Sequence, residues 1–496
     1  MKVKRILAIV LALVTVLGTL LLTACNSTDA PPATDDTTTA QKPTDTTLPV
    51  GGGEGDGGEP VAKEDAAPTA DEDYSGRKYT ILTLLNTSTL AGQPDDSQQI
   101  SDVIAKRTIY IEETFGVELV LKEVDGSLDY TTLEASYLGG DRSYEIVTPH
   151  PTINISAFMM SGMLQDLNDS AAFDGKLDIT KLWWNQSQAE NYAIDDELYL
   201  GVCDLTLNKR GFSVIVLNKE KYDSVYQDEN VFDVVFDGNW TLQRLVDIAM
   251  ENYNENTDEY GFSMHSGHVG SFFYSSGETL LTKDENDEWA LIYDVDKNSE
   301  IAEKVFNLVI GPHTFLDQWW NSTFPTCEAW KKFTAEKSLM IYMDIGAFGH
   351  MIAALEFQTA FLPLPKLNAQ QDTYYTTAGS GFVGIPNDVN DLVFSAVILE
   401  SFNWHSYHYF RPVYFDSYLS VMVSKNEEDY RVLEMLLNNS IYDFGTLLDT
   451  SGLATGMYKE VIVNGLSYDV ASYIEQYQDF CNNIMQGVLD DIRNAS

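Results

Sequence analysis

Residues 79–121 read YTILTLLNTSTLAGQPDDSQQISDVIAKRTIYIEETFGVELVL. Tyr79 to Leu85 is apolar and β-prone, the polar stretch after it reads as a loop, and Ile100, Val103, Ile104, Ile111 and Phe115 recur at helical spacing. Gly116 supplies a residue that enters the left-handed region and stops the helix, and Val117 to Leu121 is a second strand. The scheme then repeats: a short helix around Tyr130–Leu138, the stop Gly139-Gly140, and the run Tyr144–Thr148. Strands alternating with helices predict a mostly parallel sheet covered on both faces. Ligands of such sheets lie beyond the carboxyl ends of the strands, here the loops Asn86–Thr89 and Thr148–Thr152.

Working outward, a second alternating region opens at Phe212–Asn218, a strand with Ser213 interposed. Thr241, in Asn239-Trp240-Thr241, is the expected N-cap of a helix carrying Leu242, Leu245, Val246 and Ala249; Arg244 stands where a capping box would want Glu or Gln. Two apolar runs within 279–294 flank Lys283–Glu288 and predict a hairpin. From Asp391 onward the pattern is mostly helical, with Val393, Ala396, Val397, Leu399 and Phe402 as one stripe.

The amino end sets the compartment. Lys2, Lys4 and Arg5 precede an apolar run from Ile6 to Leu22, and Leu22-Thr23-Ala24-Cys25 follows. A basic head, an apolar core and small residues before a cut site make a secretory signal. The four residues resemble the bacterial lipobox, which implies cleavage after residue 24 and diacylation of Cys25. Residues 26–73 carry Thr, Pro, Gly, Asp and Glu with almost no large apolar side chain, so they are expected to remain a disordered tether. The 423 residues from 74 to 496 exceed the ~250–300 at which a single core stops growing, which predicts two lobes. The chain holds 30 Lys+Arg and 75 Asp+Glu. Without the three basic residues of the signal and the two basic and twelve acidic residues of the tether, the body keeps a formal charge of −38. So acidic a surface repels nucleic acid and other polyanions. Cys203, Cys327 and Cys481 show no metal-ligand spacing and read as buried free thiols, although one disulfide can form among three.

The order of these segments resembles the extracellular solute-binding lipoproteins of bacterial ABC importers, of the carbohydrate type. Phe212–Lys219 is similar to the family's strand ending in Asn-Lys, and Asn239–Met250 with Glu259-Tyr260-Gly261-Phe262 to its Trp-Thr helix and Tyr-Gly-Phe strand. Phe333–Met343 resembles its Phe-x-x-Gly-Lys-x-x-Met segment with Glu336 in place of glycine; Phe361–Pro365 and Gly381–Pro386 resemble its Leu-Pro turn and returning strand. Leu182–Gln186 with Leu198–Asp204 is similar to a subgroup of these lipoproteins. The resemblance implies an α/β, two-lobed periplasmic-binding-protein-like fold of type II, each lobe a mixed, mostly parallel sheet flanked by helices. Strand crossings are expected near 205–213, 335–343 and 376–384, with residues 74–208 plus 340–380 as lobe 1 and 209–339 plus 381–496 as a helix-rich lobe 2. It further implies a monomer on the outer face of the cell membrane, of Gram-positive type, held by its lipid. Such a protein closes on a neutral oligosaccharide in the interlobe cleft and docks on a membrane permease.

A neutral-sugar site wants an aromatic platform edged by polar groups. Trp184, Tyr274 and Trp320, on loops after strands, are the expected platforms, and Thr148, Asp204, Asp344 and Ser380, at strand ends or crossings, the expected hydrogen-bonding partners. The competing reading of each aromatic is core packing, which uses its large apolar area. Arg411 would stack among its aromatic neighbours or pair with a surface carboxylate. No cofactor or metal is expected: His265/His268 is a lone pair, and Asp294-x-Asp296-x-Asn298 lacks the Gly and Glu of a calcium loop and reads as a turn before a helix near Ile301. HExxH, GxSxG and P-loop motifs are absent from the sequence, so a non-enzymatic receptor is expected. A surface glycosidase, or a sensing or adhesion lipoprotein on the same fold, are the alternatives; neither the sugar nor a peptide ligand is distinguished by sequence.

Overall fold

The computed structural model describes residues 66–84, 90, 98–125, 128–149, 154–206, 212–284, 288–318, 327–345, 355–377, 381–414 and 426–495. Cys25, the tether up to residue 65, the loop Asn86–Thr89, Trp320 and Ser380 lie outside them.

The first sheet is the predicted β–α–β unit. Strands β1 (Lys78–Leu84), β2 (Glu118–Val124) and β3 (Ile146–Thr148) are parallel in the order β2-β1-β3. The connecting helix, Gln98–Phe115, turns Ile100, Val103, Ile104, Ile111 and Phe115 inward. Gly116 follows at φ 65°, and Gly140 ends the helix Asp129–Gly139 at φ 70°. The helix Leu392–His405 covers the same sheet: Tyr79 donates its hydroxyl to Ser395 O at 3.0 Å and packs against Phe394 and Phe402.

The second sheet has five strands. It is built from β4 (Phe212–Asn218) and β5 (Tyr260–His265), then, beyond the hairpin β6 (Leu281–Lys283) and β7 (Trp289–Leu291), from β8 (Thr314–Asp317), β9 (Ser338–Ile345) and β10 (Thr359–Pro363). Its order is β10-β4-β9-β5-β8; β5, β8 and β9 are mutually parallel, and β4 runs against β9 and β10. Thr241 caps the helix Leu242–Glu251 as expected, accepting from Arg244 N at 3.3 Å. The helix expected near Ile301 instead begins at Val295, because Asp294 caps it by accepting from Lys297 N at 3.0 Å.

Strand pairing corrects the lobe boundaries. Ser338–Ile345 pairs along its length with β4 and β5, so 335–343 is not a crossing, and β9 and β10 belong to the second sheet rather than to lobe 1. Residues 381–414 belong with the first sheet: Val383 bridges Gly201, Gly384 bridges Val147, and Leu392–His405 packs on β1. The chain passes between sheets after Thr206, after Thr377 and after Tyr414, whereupon the helix Glu427–Asn438 packs on β10, its Asp429 accepting from Phe361 N at 2.6 Å. The short strands β11 (Thr376–Thr377) and β12 (Ser440–Ile441) pair in parallel beside β4. The C-terminal helix Val470–Ala495 spans both halves: it packs on Ile155–Met160 of the first and Val295–Val309 of the second. Its Arg493 reaches Asp195 at 2.9 Å and Glu288 at 3.2 Å.

Cys203, Cys327 and Cys481 are buried free thiols, and burial pushes Cys203 up to about 12. Among the described residues no helix is long and apolar enough to cross a membrane.

Candidate functional site

The parallel strands β5, β8 and β9 bring His265, Asp317 and Asp344 to one end of the second sheet, where β4 begins. Alternation along β9 puts Tyr342 and Asp344 on one face, and the register sets Ser213 opposite Asp344. The result is a chain of hydroxyls ending on a carboxylate. Tyr342 donates to Ser213 Oγ at 2.6 Å, and Ser213 donates to Asp344 Oδ1 at 2.9 Å. Ser271 Oγ lies 2.9 Å from the Tyr342 oxygen, and Thr377 Oγ1 lies 3.0 Å from Ser213 Oγ. Since both Tyr342 and Ser213 spend their protons along the chain, Ser271 and Thr377 are the donors of these two bonds. Such linked bonds polarise one another where water is scarce.

The cluster has two layers. Tyr342 and Ser213 are buried, while Asp344, Thr377, Ser271, His265 and His268 are half-buried and form its outer side. The His268 ring stacks on Tyr342 with centroids 4.7 Å apart. Burial, then the nearby Asp344 charge, drive the Tyr342 hydroxyl far above its ordinary range, so it remains a neutral donor at any physiological pH. Asp317 serves the scaffold: its carboxylate accepts from Ala329 N at 3.0 Å and fixes the start of the helix Glu328–Thr334.

Among the described residues, Asp344 is the one expected contact that the structure brings into this cluster. Thr148 sits at the end of the first sheet, buried, with its hydroxyl bonded to Thr83 Oγ1 at 2.7 Å. Asp204 is buried in the turn that leaves the first sheet, with Arg411 Nη1 at 3.5 Å. Desolvation raises Asp204 to about 6 against the pull of Arg411. Arg411 therefore does both things weighed for it, lying over Tyr407 at 5.4 Å and pairing with a carboxylate, but that carboxylate is buried rather than on the surface.

Trp184 is placed as a core residue, not as a platform. It is 3% exposed, its ring fills the space that a Cβ on Gly201 would need, and its indole N–H donates to Glu400 Oε1 at 3.0 Å. Trp183 donates to the other oxygen of the same carboxylate, and Asp178 N adds a third bond at 2.8 Å. Even with three donors, burial raises Glu400 to about 7. Tyr274 points away from the strand-end cluster toward Asp443, which anchors Leu280 N at 2.8 Å and Gly445 N at 2.9 Å. Ser213, Ser271, His268, Tyr342 and Glu400 were missed by sequence reading. The alternation of β9 was the available signal for Tyr342.

The His265 and His268 rings are 5.7 Å apart, and among the described residues no group of three or more His, Cys, Asp or Glu side chains is arranged to hold a metal.

No family model matches the chain. No curated protein matches it either. Solved structures do resemble it. The galacto-N-biose-/lacto-N-biose I-binding protein of the ABC transporter from Bifidobacterium longum, in complex with lacto-N-biose, is 12% identical with a TM-score of 0.57, over 85% of this chain and 99% of that one. The cyclic alpha-maltosyl-1,6-maltose binding protein from Arthrobacter globiformis is 12% identical with a TM-score of 0.55, over 83% and 98%. UgpB from Mycobacterium tuberculosis, in complex with glycerophosphocholine, is 13% identical with a TM-score of 0.54, over 84% and 99%. This likeness defines the fold: the chain has the two-lobed, periplasmic-binding-protein-like architecture of ABC-transporter solute-binding proteins.

Proposed function

We propose that the protein is the extracytoplasmic solute-binding component of an ABC importer. It takes a neutral oligosaccharide between its lobes and delivers it, intact, to a membrane permease. The carrying observation is the Ser271–Tyr342–Ser213–Asp344 chain at the carboxyl ends of the parallel strands β5, β8 and β9, in a body whose neighbours include binders of lacto-N-biose and of a cyclic maltosaccharide. A carboxylate and adjacent hydroxyls suit the hydroxyl ring of a sugar, and the His268 face beside them suits its C–H surface. The −38 charge of the body disfavours polyanionic ligands. The basic head, apolar run and Cys25 support secretion and a lipid anchor on the outer face of the cell membrane.

A panel of neutral oligosaccharides, read by melting temperature and then calorimetry with chromatography of the ligand, tests this. A raised melting temperature with ligand recovered whole supports the receptor. Shortened products would make it a glycosidase, and no response to any glycan would remove the carbohydrate assignment.

A further inference from the structure

β11 has two neighbours. On one side Thr376 Oγ1 donates to Ser213 O at 2.9 Å, next to the strand-end cluster; on the other, Thr376 pairs with Ser440 of β12. Beyond β12 lies an open pocket of about 620 Å³ to which no residue of the strand-end cluster contributes. Ser187, Glu190 and Asn191 of the helix Gln186–Tyr192 form one wall. That helix belongs with the first sheet's side, since Gln188 bonds both Leu200 O at 3.1 Å and Val202 N at 2.9 Å. The facing wall comes from the hairpin and the β11–β12 pair, with Trp289, Tyr375 and Tyr442 as its aromatic faces.

Bonds that run behind these side chains hold the walls in place. Gln486 Nε2 donates to Trp289 O at 2.5 Å, and Asn185 Nδ2 donates to Tyr442 OH at 2.9 Å across the floor. Asp443 ties the hairpin's approach to the β12 turn through Leu280 N and Gly445 N. Gly277, at φ 78°, leaves room for Tyr375, because a Cβ there would come within 3.1 Å of the ring.

We propose that this pocket is a second ligand site, on the far side of the β11–β12 pair from the strand-end cluster, for a neutral ring-bearing polyol of one or two sugar units. Aromatic faces receive the C–H surface of such a ring, while Asn191, Asn439, Ser187 and Thr279 offer amides and hydroxyls to its edge. Glu190 and Lys283 carry opposite charges in the lining, so neither an anion nor a cation is favoured. The volume falls within the ~300–1,000 Å³ typical of small-molecule sites. Because the two walls belong to different lobes, occupancy here and closure of the cleft are thermodynamically linked, and the linkage is reciprocal.

The test uses the mature chain labelled with 5-fluorotryptophan, with the Trp289 resonance assigned through Trp289→Phe, and titrated with methyl β-D-glucopyranoside and with maltose. The expected result is a saturable shift of the Trp289 signal at millimolar probe. It persists in Asp344→Ala, which disables the cleft cluster, and weakens at least tenfold in Ser187→Phe, which fills the mouth from an exposed position. No saturable shift with either probe, or a shift indifferent to Ser187→Phe, overturns the site. A shift abolished by Asp344→Ala overturns it too, since Trp289 would then be reporting cleft binding at a distance. Failure of the carbohydrate assignment for the cleft leaves the Trp289 readout standing on its own.

Discussion

Replacing Trp184 with Ala separates a core residue from a ligand platform. The indole is 3% exposed and packs against Gly201, so its removal empties a large volume that backbone cannot refill. Truncations of buried Trp or Phe cost about 3–5 kcal/mol. The change also removes one of the three donors that hold the Glu400 carboxylate, at 3.0 Å, which leaves that group less compensated for its burial. Glu400 already stands at about 7, so with one bond fewer it takes up a proton at neutral pH; this trims part of the electrostatic cost but not the cavity. Set against a domain stability of about 5–15 kcal/mol, the loss is a large fraction of the total. Urea unfolding of the mature protein, followed by circular dichroism, should show a markedly lower midpoint with little change in slope. Calorimetry on protein still folded in buffer should show sugar affinity within a few-fold of the parent. An unchanged midpoint with abolished binding would refute the core assignment and restore Trp184 as the platform.

Three further outcomes follow from the same geometry. Asp344→Ala should weaken sugar binding by roughly 1.5–3 kcal/mol, about ten- to a hundredfold, since it removes the charged end of the Tyr342–Ser213 chain, while the unfolding midpoint moves little; calorimetry paired with urea titration reads both. Glu400 has a folded pKa raised to about 7, so its contribution to stability is complete below its unfolded value near ~4.3 and is lost as pH rises through about 7. That span corresponds to on the order of 3 kcal/mol, and Glu400→Gln should flatten the fall in stability between about pH 5 and pH 8 relative to the parent; parallel slopes for the two proteins would contradict the assignment. Glu336 occupies φ 57°, the left-handed region that costs a side-chain-bearing residue about 1–2 kcal/mol, so Glu336→Gly should stabilise the protein by up to about 1 kcal/mol in denaturant unfolding despite glycine's greater chain entropy.

Local chemistry was the legible part of the sequence. The first β–α–β unit, its Gly116 stop, the Thr241 cap and the hairpin near Lys283 all rest on periodicity or on one residue's backbone preference, and each lies within a few residues of its expected place. Glu336, singled out where glycine is usual, adopts a glycine-like φ. Sheet membership was not legible. Ser338–Ile345 and residues 381–386 are both short apolar segments, and only long-range pairing, with β4 and β5 for the first and with Val147 and Gly201 for the second, assigns them to opposite lobes. Trp184 was misplaced for a related reason: the carboxylate that binds its indole is 216 residues away in sequence. The strand-end site falls between these cases, since alternation couples Tyr342 to Asp344 locally, whereas Ser213 joins them only through the β4–β9 register.

The decisive observation concerns motion of one lobe against the other. Leu138 beside the first sheet and Met250 beside the second are exposed, and Cys203, Cys327 and Cys481 are buried, so spin labels can be placed at Leu138→Cys and Met250→Cys. Pulsed electron–electron double resonance with and without a bound oligosaccharide should show the distance distribution shift and narrow as the lobes close. An identical distribution in both states, with calorimetry confirming that the sugar is bound, would contradict a hinge-closing receptor.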